Sequence, residues 1–166
     1  MKLVILAVAH KAPVWLVDGE SEYLKRIPRE MRPKVITIKP TARQGASLGE
    51  TQRARSDEYA RIQAALRPLG EQTHRVLLDE RGAAIKTQKL SVRLSAWMQS
   101  GRPVALIVGG ADGVDPRLKH EADECLRLSD LTLPHHLARL LLCEQLYRAY
   151  SILHGLPYHR DERRLP

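Results

Sequence analysis

The sequence predicts an α/β protein: a parallel sheet with helices on both faces. Three observations carry that expectation. Short apolar runs recur at "LVILAVA" (3–9), "KVITIKP" (34–40), "RVLLDE" (75–80) and "VALIVGG" (104–110). Each is apolar nearly throughout rather than alternating, the pattern of strands covered on both faces. Between them lie helix-length stretches with the wider apolar period, so strand and helix alternate along the chain.

Taken in order, the first strand ends at His10 and "KAP", and a helix follows with Trp15, Leu16, Tyr23, Leu24 and Ile27 at helical spacing. The second strand stops at Pro40, and Tyr59, Ile62 and Leu66 mark the next helix. The third ends in a charged turn before a helix with Leu90, Leu94, Trp97 and Met98. The fourth runs into Gly109 and Gly110. Asp115-Pro116 then starts a helix, the acid as N-cap and the proline in the first turn, where no N–H is missed. "CLRLSDLTL" (125–133) is a fifth short strand or a loop. The strongest helix begins near Pro134 and carries Leu137, Leu140, Leu141, Leu146, Tyr147, Tyr150, Ile152 and Leu153. Its apolar surface is wider than one sheet contact needs, which suits either a central helix or one shared with a second subunit. Without repeats or linkers, residues 1–166 are one domain, with 161–166 expected as a flexible tail.

A chain of 166 residues can bury a core without disulfides or a structural metal. With two Trp, five Tyr and no Phe, that core is aliphatic, and stacking of bases on aromatic side chains is not an expected theme. Lys and Arg number 27 against 19 acids, a formal charge of +8, which favours a polyanionic partner. The excess is concentrated: Lys25, Arg26, Arg29, Arg32, Lys34, Lys39 and Arg43 face the single acid Glu30. A merely solvated basic face would have the same composition. Cys125 and Cys143 have no C-x-x-C spacing and read as small buried thiols. The N-terminal apolar run is too short for a signal sequence or a membrane span, so a cytoplasmic protein is expected.

The glycine turn, G-G-x-x-G at Gly109, Gly110 and Gly113, is neither a dinucleotide fingerprint nor a P-loop. No acid ends the second strand to hold a ribose, so a nicotinamide enzyme is disfavoured. The turn still permits a ligand to approach bare backbone, and a side chain at Gly110 would take that ligand's place. A purely structural turn explains it equally. "HEADE" (120–124) lacks the second histidine of a zincin, and the adjacent His135 and His136 diverge on a helix, so no metal is expected. "LPYHRDERRLP" sets Tyr158, His159 and Arg160 just after the long helix, as a functional tail or a disordered one.

In order, "LIVGGADG", "LRLSDLTLPHHLARLLLCEQLYRAYSI" and "LPYHR", together with the N-terminal "KLVILAVAHKAPVWLVDGESEYLKRIP", resemble the RlmH family, SPOUT-class methyltransferases of large-subunit ribosomal RNA. Ala9 stands where that family usually has Gly, and Ala111-Asp112 where it commonly has Pro-Glu. The resemblance implies an α/β trefoil knot near the C-terminus, a homodimer, and methylation of N3 of a pseudouridine in 23S rRNA on the assembled ribosome. It implies S-adenosylmethionine held at Leu78, Gly109, Gly110, Leu128, Ser129, Asp130, Leu131, Thr132 and Leu133. Transfer to N3 needs loss of the imide proton and stabilisation of charge on the base oxygens. Arg160 is the candidate for the oxygens or a neighbouring phosphate, and His135 or Tyr158 for orienting or deprotonating the base. Lys25, Arg26, Arg29 and His159 are the candidate RNA contacts. Arg148 and Glu144, four apart on the long helix, read as a structural ion pair. The alternative to an enzyme is a ribosome-binding or RNA-binding α/β protein without chemistry.

Overall fold

The structure, a computed structural model, describes residues 1–42, 45 and 47–160, so Arg43 and the expected tail at 161–166 lie outside it. Strands β1 (Leu3–Val8), β2 (Lys34–Ile38), β3 (His74–Ala84), β4 (Val104–Val108) and β5 (Glu124–Arg127) form one sheet in the order β2-β1-β4-β3-β5. Every pairing is parallel, as the continuous apolar runs required. The helices are α1 (Val14–Leu24), α2 (Leu48–Leu66), α3 (Thr87–Ser100), α4 (Pro116–Glu121) and α5 (His135–Leu153).

Alternation along β1 divides the core into two layers. Leu3, Ile5 and Ala7 face a cluster with Leu24 of α1, Leu90, Leu94 and Trp97 of α3, and Leu142, Leu146 and Tyr150 of α5. Val4, Leu6 and Val8 face the other cluster, with Ile62 and Leu66 of α2 and Leu118 of α4. Helices therefore cover both faces. Ser47 caps α2 by accepting from Glu50 N, and Asp115 caps α4 with Pro116 in its first turn.

Three details differ from the sequence reading. Trp15, placed on the buried face of α1, is 51% exposed, because Leu16 and Leu24 fill the contact instead. β3 runs past residue 80 to Ala84, because it re-pairs with β5 beyond a bulge. In α5, Leu137 is exposed while Arg139 is buried. Arg139 donates to both oxygens of the buried Glu20 on α1, Nη2 to Oε2 at 2.7 Å, and to Thr37 Oγ1 of β2 at 3.2 Å. That pair ties the first half of the helix to the opposite elements.

Candidate functional site

β3 and β4 are neighbours, yet the chain leaves β3 for the α3 face and β4 for the α4 face. A crevice opens at their carboxyl ends, where parallel α/β sheets bind ligands. Here it is a cleft of about 910 Å³. Three turns and the start of α5 wall it.

The first turn is the β3 bulge. Leu78 and Ala83 both face Leu126 of β5, so the residues from Asp79 to Gly82 loop out toward the cleft. Gly82 makes the loop possible, since a Cβ there would lie 2.6 Å from the Leu126 carbonyl carbon. Asp79 fixes its shape, accepting from Arg81 N at 2.9 Å and pairing with Lys119 of α4 at 2.7 Å. Burial alone would raise the Asp79 carboxyl, but Lys119 and the Arg81 N–H together hold it below the usual range.

The second turn is the glycine turn. Gly113 N donates to Gly110 O at 3.1 Å, with Gly113 at φ 80°, a conformation that favours glycine. Arg55 of α2 donates through Nε to Asp112 O at 2.8 Å, which fixes the turn from outside. A Cβ on Gly109 would lie 2.5 Å from Val114 Cγ1, and one on Gly110 3.2 Å from Val8 Cγ1 and 3.3 Å from Glu58 Oε2. A side chain at 110 therefore first meets the protein beneath the turn, which corrects the expectation that it would simply take the ligand's place.

The third turn follows β5. Leu128, Ser129, Leu131, Thr132 and Leu133 line the cleft, and Ser129 Oγ accepts from Leu131 N at 2.9 Å. Of the nine residues expected to hold a cofactor, eight line this one cleft; Asp130 does not. Its side chain is 86% exposed and pairs with Arg127 at 2.9 Å. The sequence reading missed Arg55, Asp79, Arg81, Lys119 and Arg127 on these walls. Only the charged turn "LDERG", closed by Gly82, carried a signal for part of them.

His135, the first residue of α5, also lines the cleft. Its imidazole lies below the ordinary histidine range, through burial first and then the neighbouring His136, His10 and Arg139. The His136 ring stands edge-on at 4.3 Å from it and 6.4 Å from the Trp15 ring. Among the described residues, no group of three His, Cys, Asp or Glu side chains is placed to hold a metal ion.

Tyr158, His159 and Arg160 lie elsewhere. Gly155 reverses the chain after α5, and Tyr158 folds back onto the helix's own flank, donating to Glu144 Oε1 at 3.0 Å. Its ring lies 4.7 Å from that of Tyr147, with the Arg148 guanidinium 4.7 Å above it. Burial and the Glu144 hydrogen bond push its phenol up to about 12. Arg148 and Glu144 do pair, Nε to Oε1 at 2.8 Å. Glu144 comes nine residues after His135, about 13 Å along a helix rising 1.5 Å per residue. Lys25 and Arg26 share Glu22, Arg26 also covers the Tyr147 ring at 5.5 Å, and Arg29 is exposed. The basic end of α1 and the tail thus gather at the far end of α5. His159 Nδ1 is buried there with no partner among the described residues.

A cleft of this kind at the carboxyl ends of a parallel sheet is a common ligand site, and comparison with known proteins gives its class. The family model described as "Predicted SPOUT methyltransferase" matches residues 1–159. The chain is 53% identical over 161 residues to the ribosomal RNA large subunit methyltransferase H of Dechloromonas aromatica, covering 97% of this chain and 99% of that one. It is 51% identical over 160 residues to the protein of that name from Burkholderia ambifaria, and 48% to that from Cupriavidus taiwanensis, each over 96% of this chain and 99% of the relative. The protein belongs to the SPOUT methyltransferase family, and with that membership comes the α/β trefoil knot.

Proposed function

We propose that this protein methylates N3 of a pseudouridine in large-subunit ribosomal RNA on the assembled ribosome, with S-adenosylmethionine held in the cleft. One observation carries the reading: three turns far apart in sequence bring eight expected cofactor positions to a single cleft, with His135 on its wall. The volume of about 910 Å³ suits a ligand of that size. Its Leu and Val walls suit an adenosine and a thioether chain, and its bare glycine backbone and loop amides can hold the polar edges without an acidic ribose contact. Bound there, the donor supplies an electrophilic methyl group.

The chain's own residues supply the rest. His135, whose imidazole burial shifts below the ordinary range, accepts the imide proton. Tyr158, whose proton is donated to Glu144, orients the base through its ring and its phenol oxygen as an acceptor. Arg160 stabilises the base oxygens as charge develops on them. Tyr158 seated on Glu144 keeps the tail at the far end of α5, which supports a homodimer in which the tail of each copy serves the cleft of the other. The dimer face includes Val14 and Trp15 of α1 and Leu137 of α5, all exposed, with Trp15 against His136. Lys25, Arg26, Arg29 and His159 contact phosphates beside the tail. The reaction takes place in the cytoplasm and uses no metal.

Incubation with methyl-labelled S-adenosylmethionine and either intact ribosomes or naked 23S RNA tests this. Label is expected in 23S RNA from ribosomes, at N3 of one pseudouridine. Binding to ribosomes with no labelling under any condition would instead favour an RNA-binding protein without chemistry.

A further inference from the structure

The cleft has a charged corner that its apolar walls do not explain. Gly82 lies against the Leu126 backbone, so the residues on either side of that contact, Arg81 on the bulge and Arg127 at the end of β5, line the same part of the cleft. The nearest fixed acid is already committed: Asp79 is paired with Lys119 and only 11% exposed. Arg81 is exposed, and no hydrogen bond or ion pair to its guanidinium is found among the described residues, beyond the general attraction of Asp79. Arg127 has a poor partner. Asp130 lies 2.9 Å from its Nη2 and stands in solvent, while Arg127 Nε is buried with no acceptor among the described residues. A solvent-exposed pair of that kind is worth little, and a guanidinium meets a carboxylate best through two parallel hydrogen bonds.

We propose that Arg81 and Arg127 form an oxyanion corner that receives the carboxylate of the methyl donor's amino-acid head group, an inference that rests on the methyl-donor reading of the cleft. Arg127 leaves Asp130 for this better acceptor, and Arg81 approaches it from the bulge. Glu80, an acid of the bulge on the cleft wall, suits the ammonium of the same head group. Asp79, Lys119 and Gly82 act through Arg81, by fixing the bulge that carries it.

The test compares S-adenosylmethionine with its decarboxylated analogue by calorimetry, on wild type, Arg81→Gln, Arg127→Gln and the double variant. Thermal melts check that each variant is folded. The wild type is expected to prefer the carboxylated ligand by roughly ten- to hundredfold, the range for charge-assisted hydrogen bonds. Each single variant is expected to lose part of that preference and the double variant nearly all of it, with affinity for the decarboxylated ligand unchanged. Arg127→Lys should recover only part. A preference that persists in the double variant overturns the proposal. So does an unchanged affinity for S-adenosylmethionine alongside weakened ribosome binding, which would assign the corner to an RNA phosphate. Failure of the wild type to bind either ligand would overturn the methyl-donor reading, and this inference with it.

Discussion

The two ends of α5 are built for different tasks. At its start, the turns after β3, β4 and β5 enclose a cleft, and His135 stands on its wall with its imidazole shifted below the ordinary range by burial. At its end, tyrosines, arginines and Glu144 interlock around a tail that turns away from that cleft. The first end has the enclosure a small cofactor needs. The second has the charge that RNA needs. Chemistry that requires both within bonding distance is what the proposed homodimer would supply, by setting the tail of one copy beside the cleft of the other.

The largest effect expected follows directly. Truncation after Leu156, or Arg160→Ala, should lower methyl transfer by orders of magnitude while leaving cofactor affinity intact, measured by calorimetry beside the ribosome assay. A chain whose cleft wall is displaced, such as Gly109→Val, where the new Cβ would meet Val114, should be equally inactive once melts show that it is folded. Mixed and reassembled in equal amounts, the two should recover about a quarter of wild-type activity, since half the dimers are mixed and each has one complete site of two. A mixture no more active than its components would place tail and cleft in the same chain.

The helix also carries two ion pairs of contrasting surroundings, and they separate structure from function. Glu20 and Arg139 are both buried, with side chains 7% and 4% exposed. Arg139→Ala strands a carboxylate in the core and should cost about 3–5 kcal/mol in urea unfolding. Glu144 and Arg148 sit nearer the surface, and Arg148→Ala should cost about 1 kcal/mol or less in folding. Equal losses for the two variants would mean that the far end of α5 is as structural as the near end.

How much of this was legible in the sequence differs between the two ends. The strands and their parallel pairing follow from runs such as "LVILAVA", because burial on both faces removes polar alternation. The start of α5 was legible because Pro134 marks it and "LTLP" precedes it. The Asp79–Gly82 bulge was not, since "RVLLDE" reads as a strand ending in a charged turn, and only the approach of Leu126 shows why Gly82 is there. The buried Arg139 was invisible for a similar reason: its partner Glu20 lies 119 residues away, and helical spacing says nothing of such contacts. The tail residues were picked out in sequence, but their distance from the chain's own cleft depends on the turn at Gly155 and on Glu144.

The smallest effect expected concerns the proton on His135. Its folded imidazole titrates below the ordinary value of 6.5, with burial as the main cause. In the unfolded chain it titrates at the ordinary value, so on acidification the unfolded state takes up the proton first. Stability should therefore be full above pH 6.5, fall as the pH drops through that value, and stop falling once the folded imidazole is protonated too. Urea unfolding at about pH 7.5 and about pH 5.5 should show this loss in the wild type and a smaller one in His135→Gln. Transfer activity should keep its full value through neutral pH and decline only on the acid side of 6.5, because a neutral imidazole is needed to accept the imide proton. Tyr158 adds no alkaline counterpart in the usual assay range, since its phenol is held near 12 by burial and Glu144. If the two proteins lost stability equally on acidification, the imidazole at the cleft would be an ordinary solvated one, and the difference between the two ends of α5 would reduce to shape.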